Sequence, residues 1–328
     1  MAQTGKIVSA VAFLAIVFIL VPVFIAVSGR ADLYYTLTSV ALLSIASAGV
    51  WLTFFIGRIN IGQGAYALMG GYVSAILVVQ YGVSFWFALP LAGLFCAGAS
   101  ILIGFPILRL RGVYFAMVTL VLTEVVRLLA LALPITNGAK GMVSIPLPGA
   151  LSIMGFTLIP GFAGMQNSRL AFYLLAVAVM VLCFATMYRL VNSRMGKLCQ
   201  SLQQNEELAS SIGVNVANLR VIAYATSSFF GGVAGAIFAA ISQSIYPSSF
   251  TVTDSVNFML NCFFGGLGYV FGPMLGTLVL YFGWDLLFQT GKFQLLIYST
   301  LMIILMLFLP NGLLSLGALL PKRGSKNG

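Results

Sequence analysis

The sequence predicts an all-α integral membrane protein with about ten transmembrane helices. The 328 residues are 61% hydrophobic and only 7% charged, whereas soluble domains contain roughly 25% charged residues. Apolar runs of about 20 residues, the length that crosses a bilayer, recur along the chain. Such a chain cannot cover its surface with polar groups in water, so we expect most of that surface to face lipid.

Ten segments are predicted as spans, and together they form a single membrane domain, 1–328. The first is longer than the apolar region of a secretory signal, and we interpret it as an uncleaved span. The third and eighth are the weakest, because they are rich in glycine and polar residues. The spans are 7–28, 33–56, 62–81, 84–107, 113–133, 170–188, 217–241, 253–270, 273–290 and 293–309.

The basic residues predict the orientation. With the N-terminus inside, eleven lysines and arginines fall on the cytoplasmic side, four fall outside and Arg127 lies within a span. Positive residues concentrate on the cytoplasmic side of membrane proteins, so we predict an N-in/C-in topology. The cytoplasmic set is Lys6, Arg58, Arg109, Arg111, Arg189, Arg194, Lys197, Arg220, Lys322, Arg323 and Lys326, and the outer set is Arg30, Lys140, Arg169 and Lys292.

The composition argues against several classes of function. The net charge of +10 does not indicate nucleic-acid binding, because the basic residues sit in short clusters between apolar runs. Without histidine or a CxxC pair we predict no metal site and no cofactor. No G-x-x-x-x-G-K-[ST] loop for ATP occurs, and six acidic residues offer no credible catalytic centre. We interpret Cys96, Cys183, Cys199 and Cys262 as small buried hydrophobic residues.

Two loops are long, an outer one at 134–169 and an inner one at 189–216. Within the inner loop, 196–211 favours a short amphipathic helix on the cytoplasmic surface. Its centre is polar and acidic, whereas a helix resting on lipid would have a basic face. We therefore favour a docking element for a protein partner over a membrane-surface helix. The predicted apolar positions are Leu198, Leu202, Leu208 and Ile212, and the polar centre is Asn205, Glu206 and Glu207.

The inner loop is similar to the cytoplasmic coupling loop of branched-chain amino-acid ABC importer permeases. The similar stretch is MGKLCQSLQQNEELASSIGVNVANLR, in which Gln203 stands where the family usually has arginine. The segments RLRGVYFAMVTLVLTE, TNGAKGMVSIP, FFGGLGYVFGPMLGT and FLPNGL also resemble family motifs, those of the M-type permease. One segment, Asn60 to Val73, is more similar to the partner H-type permease. The matching loop positions are Gly196, Asn205, Glu206, Ala209, Gly213 and Asn215.

The resemblance implies a permease subunit of the bacterial inner (plasma) membrane. It would form the translocation path for a branched-chain amino acid or a similar small solute that a periplasmic solute-binding protein delivers. A second permease, H-type or a like copy, and two cytoplasmic ATPase subunits would complete the importer, so this chain would not be an enzyme. A stand-alone secondary transporter or channel remains the alternative. The residues expected to couple to the ATPase are Gly196, Asn205, Glu206, Glu207, Ala209 and Gly213.

Two glycine-rich, interrupted segments, one in each half of the chain, are candidates for the translocation path. Broken spans often mark the path in transporters, although tight helix packing is an equally good explanation for the glycines. The amides of Asn60 and Gln63 can hydrogen-bond a polar solute without a charge. The candidate path residues are Asn60, Gln63, Gly64, Tyr66, Gly70, Asn257, Asn261, Gly265 and Gly266.

A charge pair is predicted within the span at 113–133. Glu124 and Arg127 are three residues apart, so their side chains can pair on one helix face. Pairing reduces the cost of placing a charge in the bilayer. The pair is therefore either an internal or interfacial pair near the outer end of the span, or a gate or contact to the partner permease.

Overall fold

The computed structural model describes residues 32–153, 156–159, 161–162, 168–211, 213–308 and 312–315. The predicted span at 7–28 lies outside the described residues. Eleven α-helices occur in the described part of the chain. They are α1 (Asp32–Phe55), α2 (Gln63–Val79), α3 (Phe85–Ile107), α4 (Val113–Ala132), α5 (Ser168–Asn192), α6 (Arg194–Gln204), α7 (Glu206–Ser211), α8 (Val216–Ser242), α9 (Val252–Gly265), α10 (Gly272–Leu286) and α11 (Gln294–Phe308).

Five of these helices are long and apolar enough to cross a membrane: most of α1, with α3, α4, α5 and α8. They coincide with five of the predicted spans, which confirms a mostly helical protein with several membrane-spanning helices. The predicted span 62–81 forms α2, which has 17 residues because Gly62 lies just before the helix and Gln80 and Tyr81 lie after its end.

Helix α8 lies at the centre of the bundle and packs against α1, α2 and α3. Small residues allow the close approach between α2 and α8. A Cβ atom at Gly70 would overlap the backbone of Gly232, and one at Gly235 would overlap the carbonyl of Ala67. Backbone contacts of this kind are how helices associate in lipid, where no hydrophobic effect draws them together.

Helices α9 and α10 form a tight antiparallel hairpin. They contain 14 and 15 residues, or about 21 and 22 Å at 1.5 Å per residue, which is less than the roughly 30 Å apolar thickness of a bilayer. Gly266, with φ of +108°, ends α9, and a Cβ at Gly265 would overlap the backbone of Gly272. The segments predicted as spans 253–270 and 273–290 are therefore short helices on either side of this glycine turn.

Short strands lie in the outer loop and in the segment before α9. They are β1 (Met142–Val143), β2 (Leu151–Ile153), β3 (Phe156–Ile159) and, before α9, β4 (Ser244–Ile245). Strand β1 pairs with β4 and β2 with β3, both antiparallel. The outer loop precedes α5 and the inner loop follows it, so the two loops lie at opposite ends of this long helix.

The inner loop differs from the single amphipathic helix that we predicted. Asn205 is extended (φ −158°, ψ 110°) and divides the segment into α6 and α7. The break rotates α7, so the 3.6-residue pattern does not continue across it. Leu208, predicted on the buried face, is 66% exposed, while its neighbour Ala209 is buried. Ile212 lies outside the described residues.

Candidate functional site

The inner loop is packed onto the ends of two membrane helices. Its buried side chains, Cys199, Leu202 and Ala209, form an apolar cluster with the last turn of α1 and the first turns of α8. Leu52 and Ile56 contribute from the α1 end, and Leu219 and Ala223 from α8. A contiguous cluster of this kind ties the loop to α1 and α8.

Local hydrogen bonds fix the shape of the loop. The Asn205 side chain accepts hydrogen bonds from the backbone N–H groups of Glu207 and Leu208 at 3.0 and 3.1 Å, and so caps α7. Gly213, with φ of +87°, follows the last turn of α7, a position where glycine is favoured. A Cβ at Gly196 would overlap the carbonyl group of Val191. Thus three of the predicted coupling residues shape or pack the loop.

The carboxylate of Glu206 points toward the membrane helices and meets three arginines. It accepts a hydrogen bond from Arg58, which follows α1, at 3.5 Å, and one from Arg111, which precedes α4, at 3.2 Å. It also forms an ion pair with Arg220 in the second turn of α8. Glu206 is therefore the common partner of three separate helix ends. We refer to these four residues as the arginine cluster.

The arginine cluster is largely shielded from water. The side chains of Arg58 and Arg220 are buried, that of Glu206 is 23% exposed, and only Arg111 is largely exposed. Burial alone would raise the pKa of Glu206, but its hydrogen bond to Arg220 and the charges of Arg220, Arg111 and Arg58 outweigh burial and lower that pKa. Burial lowers the pKa of Arg58, and the charge of Arg220 lowers it further. The carboxylate thus stays ionised and holds two buried cations together.

A second face of α7 is exposed. The side chain of Glu207 is 86% exposed, and its nearest charged contact is Arg111 at 3.9 Å. Leu208, Ser210 and Ser211 are exposed beside it. We call Glu207 and Leu208 the outer face of α7. This face therefore presents one apolar and one acidic side chain to the surroundings of the chain.

A non-helical segment, 57–62, connects the arginine cluster to a polar network inside the bundle. Asn60 lies two residues after Arg58 and is fully buried. Its side-chain Nδ2 donates to Gln63 Oε1 at 3.4 Å. Gln63, also fully buried, donates to the backbone carbonyl of Ser227 in α8 at 2.9 Å and accepts from the Ser227 hydroxyl at 3.2 Å. Of these two predicted path residues, Gln63 thus binds α8 directly and Asn60 supports Gln63.

Side chains from other helices satisfy the backbone of the same segment. The N–H of Ile61 donates to the Thr119 hydroxyl in α4 at 3.1 Å, and that of Gly64 donates to the Ser255 hydroxyl in α9 at 2.9 Å. The N–H of Gly62 donates to Asn60 Oδ1 at 2.9 Å. Non-helical backbone inside a membrane protein is tolerated only where partners of this kind replace water. We call this set of bonds around 60–64 the polar network.

The remaining candidate path residues fall into two environments. Tyr66 is buried and its hydroxyl donates to that of Tyr224 at 3.1 Å, while Gly70 and Gly265 lie in backbone-to-backbone packing. Asn257 is exposed and, with Asn261, lines a cleft of about 660 Å³. The polar residues that line this cleft include Asp254, Asn257, Asn261, Thr277, Tyr281 and Tyr298.

Glu124 and Arg127 form the predicted pair on α4. Arg127 Nε donates to Glu124 Oε2 at 2.9 Å, and its Nη2 donates to the other carboxylate oxygen. Both side chains keep exposed surface, 42% for Glu124 and 28% for Arg127, near the middle of a helix long enough to cross a membrane. The pair therefore lies on an outer surface of this chain.

Sequence reasoning missed the partners that organise the site. Arg58, Arg111 and Arg220 were assigned to the cytoplasmic side, the same side as Glu206, and that common side was the available signal. No sequence pattern indicated that the three would converge on one carboxylate. The partners of the polar network, Thr119, Ser227 and Ser255, gave no signal, because serine and threonine are common in membrane helices.

Comparison with known families decides the classification. Residues 33–310 match the family model described as branched-chain amino acid transport system / permease component. The chain belongs to this family. As a permease component it is a multi-pass integral membrane protein, and the family contributes a non-enzymatic transmembrane subunit. No solved structure matches the chain.

Individual relatives agree with the family. The permease is 33% identical over 285 residues to the high-affinity branched-chain amino acid transport system permease protein LivM of Escherichia coli strain K12, a match to 83% of this chain and 67% of that protein. It is 34% identical over 271 residues to LivM of Salmonella typhimurium strain LT2, covering 79% of this chain and 64% of that protein. The match thus spans about two thirds of each LivM protein.

A more distant relative has the name of the other permease type. The "Probable branched-chain amino acid transport permease protein LivH" of Methanocaldococcus jannaschii is 24% identical over 246 residues, or 73% of this chain and 75% of that protein. The family therefore includes LivM-type and LivH-type proteins, which suggests a second permease as a partner.

Proposed function

We propose that this permease is the membrane subunit of an ATP-driven importer for a branched-chain amino acid or a similar small solute, located in the bacterial inner membrane. A periplasmic binding protein would deliver the solute, and two cytoplasmic ATPases would supply the energy. The main structural support is the inner loop: two short helices packed onto the ends of α1 and α8, with Glu207 and Leu208 exposed. That arrangement suits a docking site for the ATPase.

The proposed topology has ten spans with both termini in the cytoplasm. In support, Arg58, Arg111 and Arg220 meet Glu206 at one end of the bundle, as expected for a cytoplasmic face rich in basic residues. The outer loop lies at the other end of α5. Helices α9 and α10 would count as two of the ten spans despite their length.

We further propose that the nine candidate residues belong to the translocation path, in two parts. The cleft beside Asn257 and Asn261 provides an accessible, mainly apolar surface with polar side chains set into its wall. The polar network of Asn60 and Gln63 is closed by α8 in this conformation and would have to separate from it for a solute to pass. Neutral amides bind a polar solute weakly, as conduction through a transporter requires.

The second permease, H-type or a like copy, is proposed to cover α4. A charge pair with 42% and 28% of its side-chain surface exposed near mid-span is costly in hydrocarbon, and such groups almost always face protein or a water-filled cavity. Contact with a second permease, or a path between the two permeases, would provide that environment.

Reconstitution tests the proposed function. The permease, its second permease, the ATPase subunits and the binding protein encoded beside it would be placed in liposomes, and uptake of labelled leucine would be measured with and without ATP. We expect uptake only with ATP and with an active ATPase. An ATPase whose phosphate-loop lysine is replaced provides the matched control. Uptake by the permease alone, without ATP, would instead identify a secondary transporter or channel.

A further inference from the structure

The two acidic residues of α7 differ in burial and in their partners. Glu206 faces the helix bundle and pairs with arginines at three helix ends, whereas Glu207 is largely exposed. Side chains that follow one another on a helix do not share a face. A single docking role for this acidic pair is therefore inconsistent with their positions.

We infer that Glu206 is an internal joint, which transmits movement of the ATPase-bound loop to the membrane helices, and that the outer face of α7, Glu207 and Leu208, contacts the ATPase. This inference rests on the proposed function. It assigns the two neighbouring carboxylates different tasks: Glu206 acts through Arg58, Arg111 and Arg220, and does not touch the ATPase.

The charge balance of the cluster supports the inference. Three arginines surround Glu206, and the only other carboxylate with a described contact to any of them is Glu207, at 3.9 Å from the exposed Arg111. The chain has only six acidic residues, so no reserve of anions exists. Within the described residues, the Nε atoms of Arg58 and Arg220 are buried without a hydrogen-bond partner. Glu206 alone therefore holds these two buried cations beside each other.

The chain connects the arginines of the cluster to the polar network. Arg58 lies in the non-helical segment 57–62, which also holds Asn60; the Asn60 side chain binds Gln63, and Gln63 in turn binds Ser227 of α8. Arg220 lies two turns before Ser227 in the same helix. A displacement of Glu206 would therefore pull on both sides of the polar network, at the 57–62 segment and at α8. Arg111, which precedes α4, would transmit the same displacement to that helix. Thr119 of α4 accepts a hydrogen bond from the Ile61 N–H.

Rigid contacts make such transmission possible. The loop is fixed to α1 and α8 by its buried side chains, and α7 is capped by Asn205. Coupling between distant sites needs packed elements and ion pairs that move as units. Segment 57–62 joins α1 to α2 without helical structure, and it is tied to its neighbours by the Asn60 bond to Gln63 and the Ile61 N–H bond to Thr119.

The test separates docking from transmission in the reconstituted complex. Three quantities are measured: copurification of the ATPase, the rate of ATP hydrolysis, and solute taken up per ATP hydrolysed. For E206Q we expect ATPase copurification as in the wild type and a fall in uptake per ATP of about tenfold, within the usual range of coupling between sites. For L208D, and to a smaller extent E207Q, we expect weaker copurification with uptake per ATP unchanged in the complexes that form.

A second variant keeps the test valid if E206Q does not assemble. Arg111 is largely exposed, so R111Q removes its contact with Glu206, and its longer contact with Glu207, without leaving a buried charge. We expect a smaller fall in uptake per ATP, and no additional fall when R111Q is combined with E206Q, since both act through one carboxylate. E206D, which keeps the charge, should recover part of the coupling.

Two results would overturn the inference while leaving the proposed function intact. One is loss of ATPase copurification in E206Q as severe as in L208D, which would make Glu206 a docking contact. The other is normal uptake per ATP in both E206Q and R111Q. Failure of the proposed function looks different, because the wild-type permease would then bind no ATPase or would transport without ATP.

Discussion

The permease places its charges in two contrasting ways. Glu124 and Arg127 form a balanced pair within one helix, three residues apart and partly exposed. Glu206 is outnumbered by arginines that come from three separate helix ends, and most of the cluster is buried. The local pair lowers the free-energy cost of placing two charges within a membrane helix. The long-range cluster instead ties the inner loop to the bundle. The difference suggests that the first faces a partner and the second transmits movement.

The largest effect is expected from removing the anion of the arginine cluster. In E206Q two buried guanidinium groups remain side by side, so we expect the free energy of unfolding to fall by about 2–3 kcal/mol, below the ~3–5 kcal/mol for one broken fully buried pair. Chemical unfolding in detergent measures it, with E207Q as the exposed control. A change in E206Q no larger than in E207Q would mean that the cluster resembles an ordinary surface pair.

The next largest effect is expected from a change in the neutral polar network. Q63L leaves the Asn60 amide and the Ser227 hydroxyl without their partner, and an unsatisfied buried group costs about 1–3 kcal/mol. S227A, which removes one hydrogen bond, is the matched control with a smaller expected loss. Thermal unfolding in detergent checks both. If Q63L is as stable as the wild type, Gln63 does not hold segment 57–62 against α8.

The charge pair on α4 should show a smaller effect, which depends on the partner. E124Q leaves Arg127 without its carboxylate, and we expect recovery of the complex with the second permease to fall roughly twofold to fivefold, in line with measured polar contacts between membrane helices. The double variant E124Q/R127Q should recover most of the loss. Copurification of the two permeases measures it. No loss in E124Q would place this face outside the interface.

The smallest effect concerns pH. Because the pKa of Glu206 is lowered in the folded state, its ionised form stabilises the fold above the unfolded pKa, and this contribution is lost as pH falls through the lowered value. The stability difference between wild type and E206Q should therefore be constant from about pH 7.5 to about pH 5.5 and shrink only in stronger acid. A difference that already shrinks near pH 6 would contradict the assigned ion pairs.

Much of the fold could be predicted from the sequence, because lipid imposes simple length and charge rules. The five long helices coincide with predicted apolar segments, and the Glu124–Arg127 pair followed from spacing alone. The convergence on Glu206 could not be predicted, because its partners Arg58 and Arg111 lie 148 and 95 residues away in the chain. The break at Asn205 was missed as well, since asparagine caps a helix by a local hydrogen bond that leaves the apolar periodicity ambiguous.

The glycines illustrate a second limit of sequence reasoning. Gly70 and Gly265 looked equally suited to packing and to a path, and the structure places both against a neighbouring backbone. Asn60 and Gln63, chosen for the path as free amides, are occupied by one another and by α8. Their availability depends on which conformation the bundle adopts, and one sequence does not encode that choice in a local pattern.

The most direct test of the account locates the outer face of α7. In the described part of the chain the native cysteines are buried, and Leu208 is exposed, so a single L208C variant can be labelled with a membrane-impermeant maleimide. We predict no labelling in intact cells, rapid labelling in inside-out vesicles, and protection when the ATPase subunits are bound. Labelling of L208C from the outside of intact cells would contradict the topology and the docking role together.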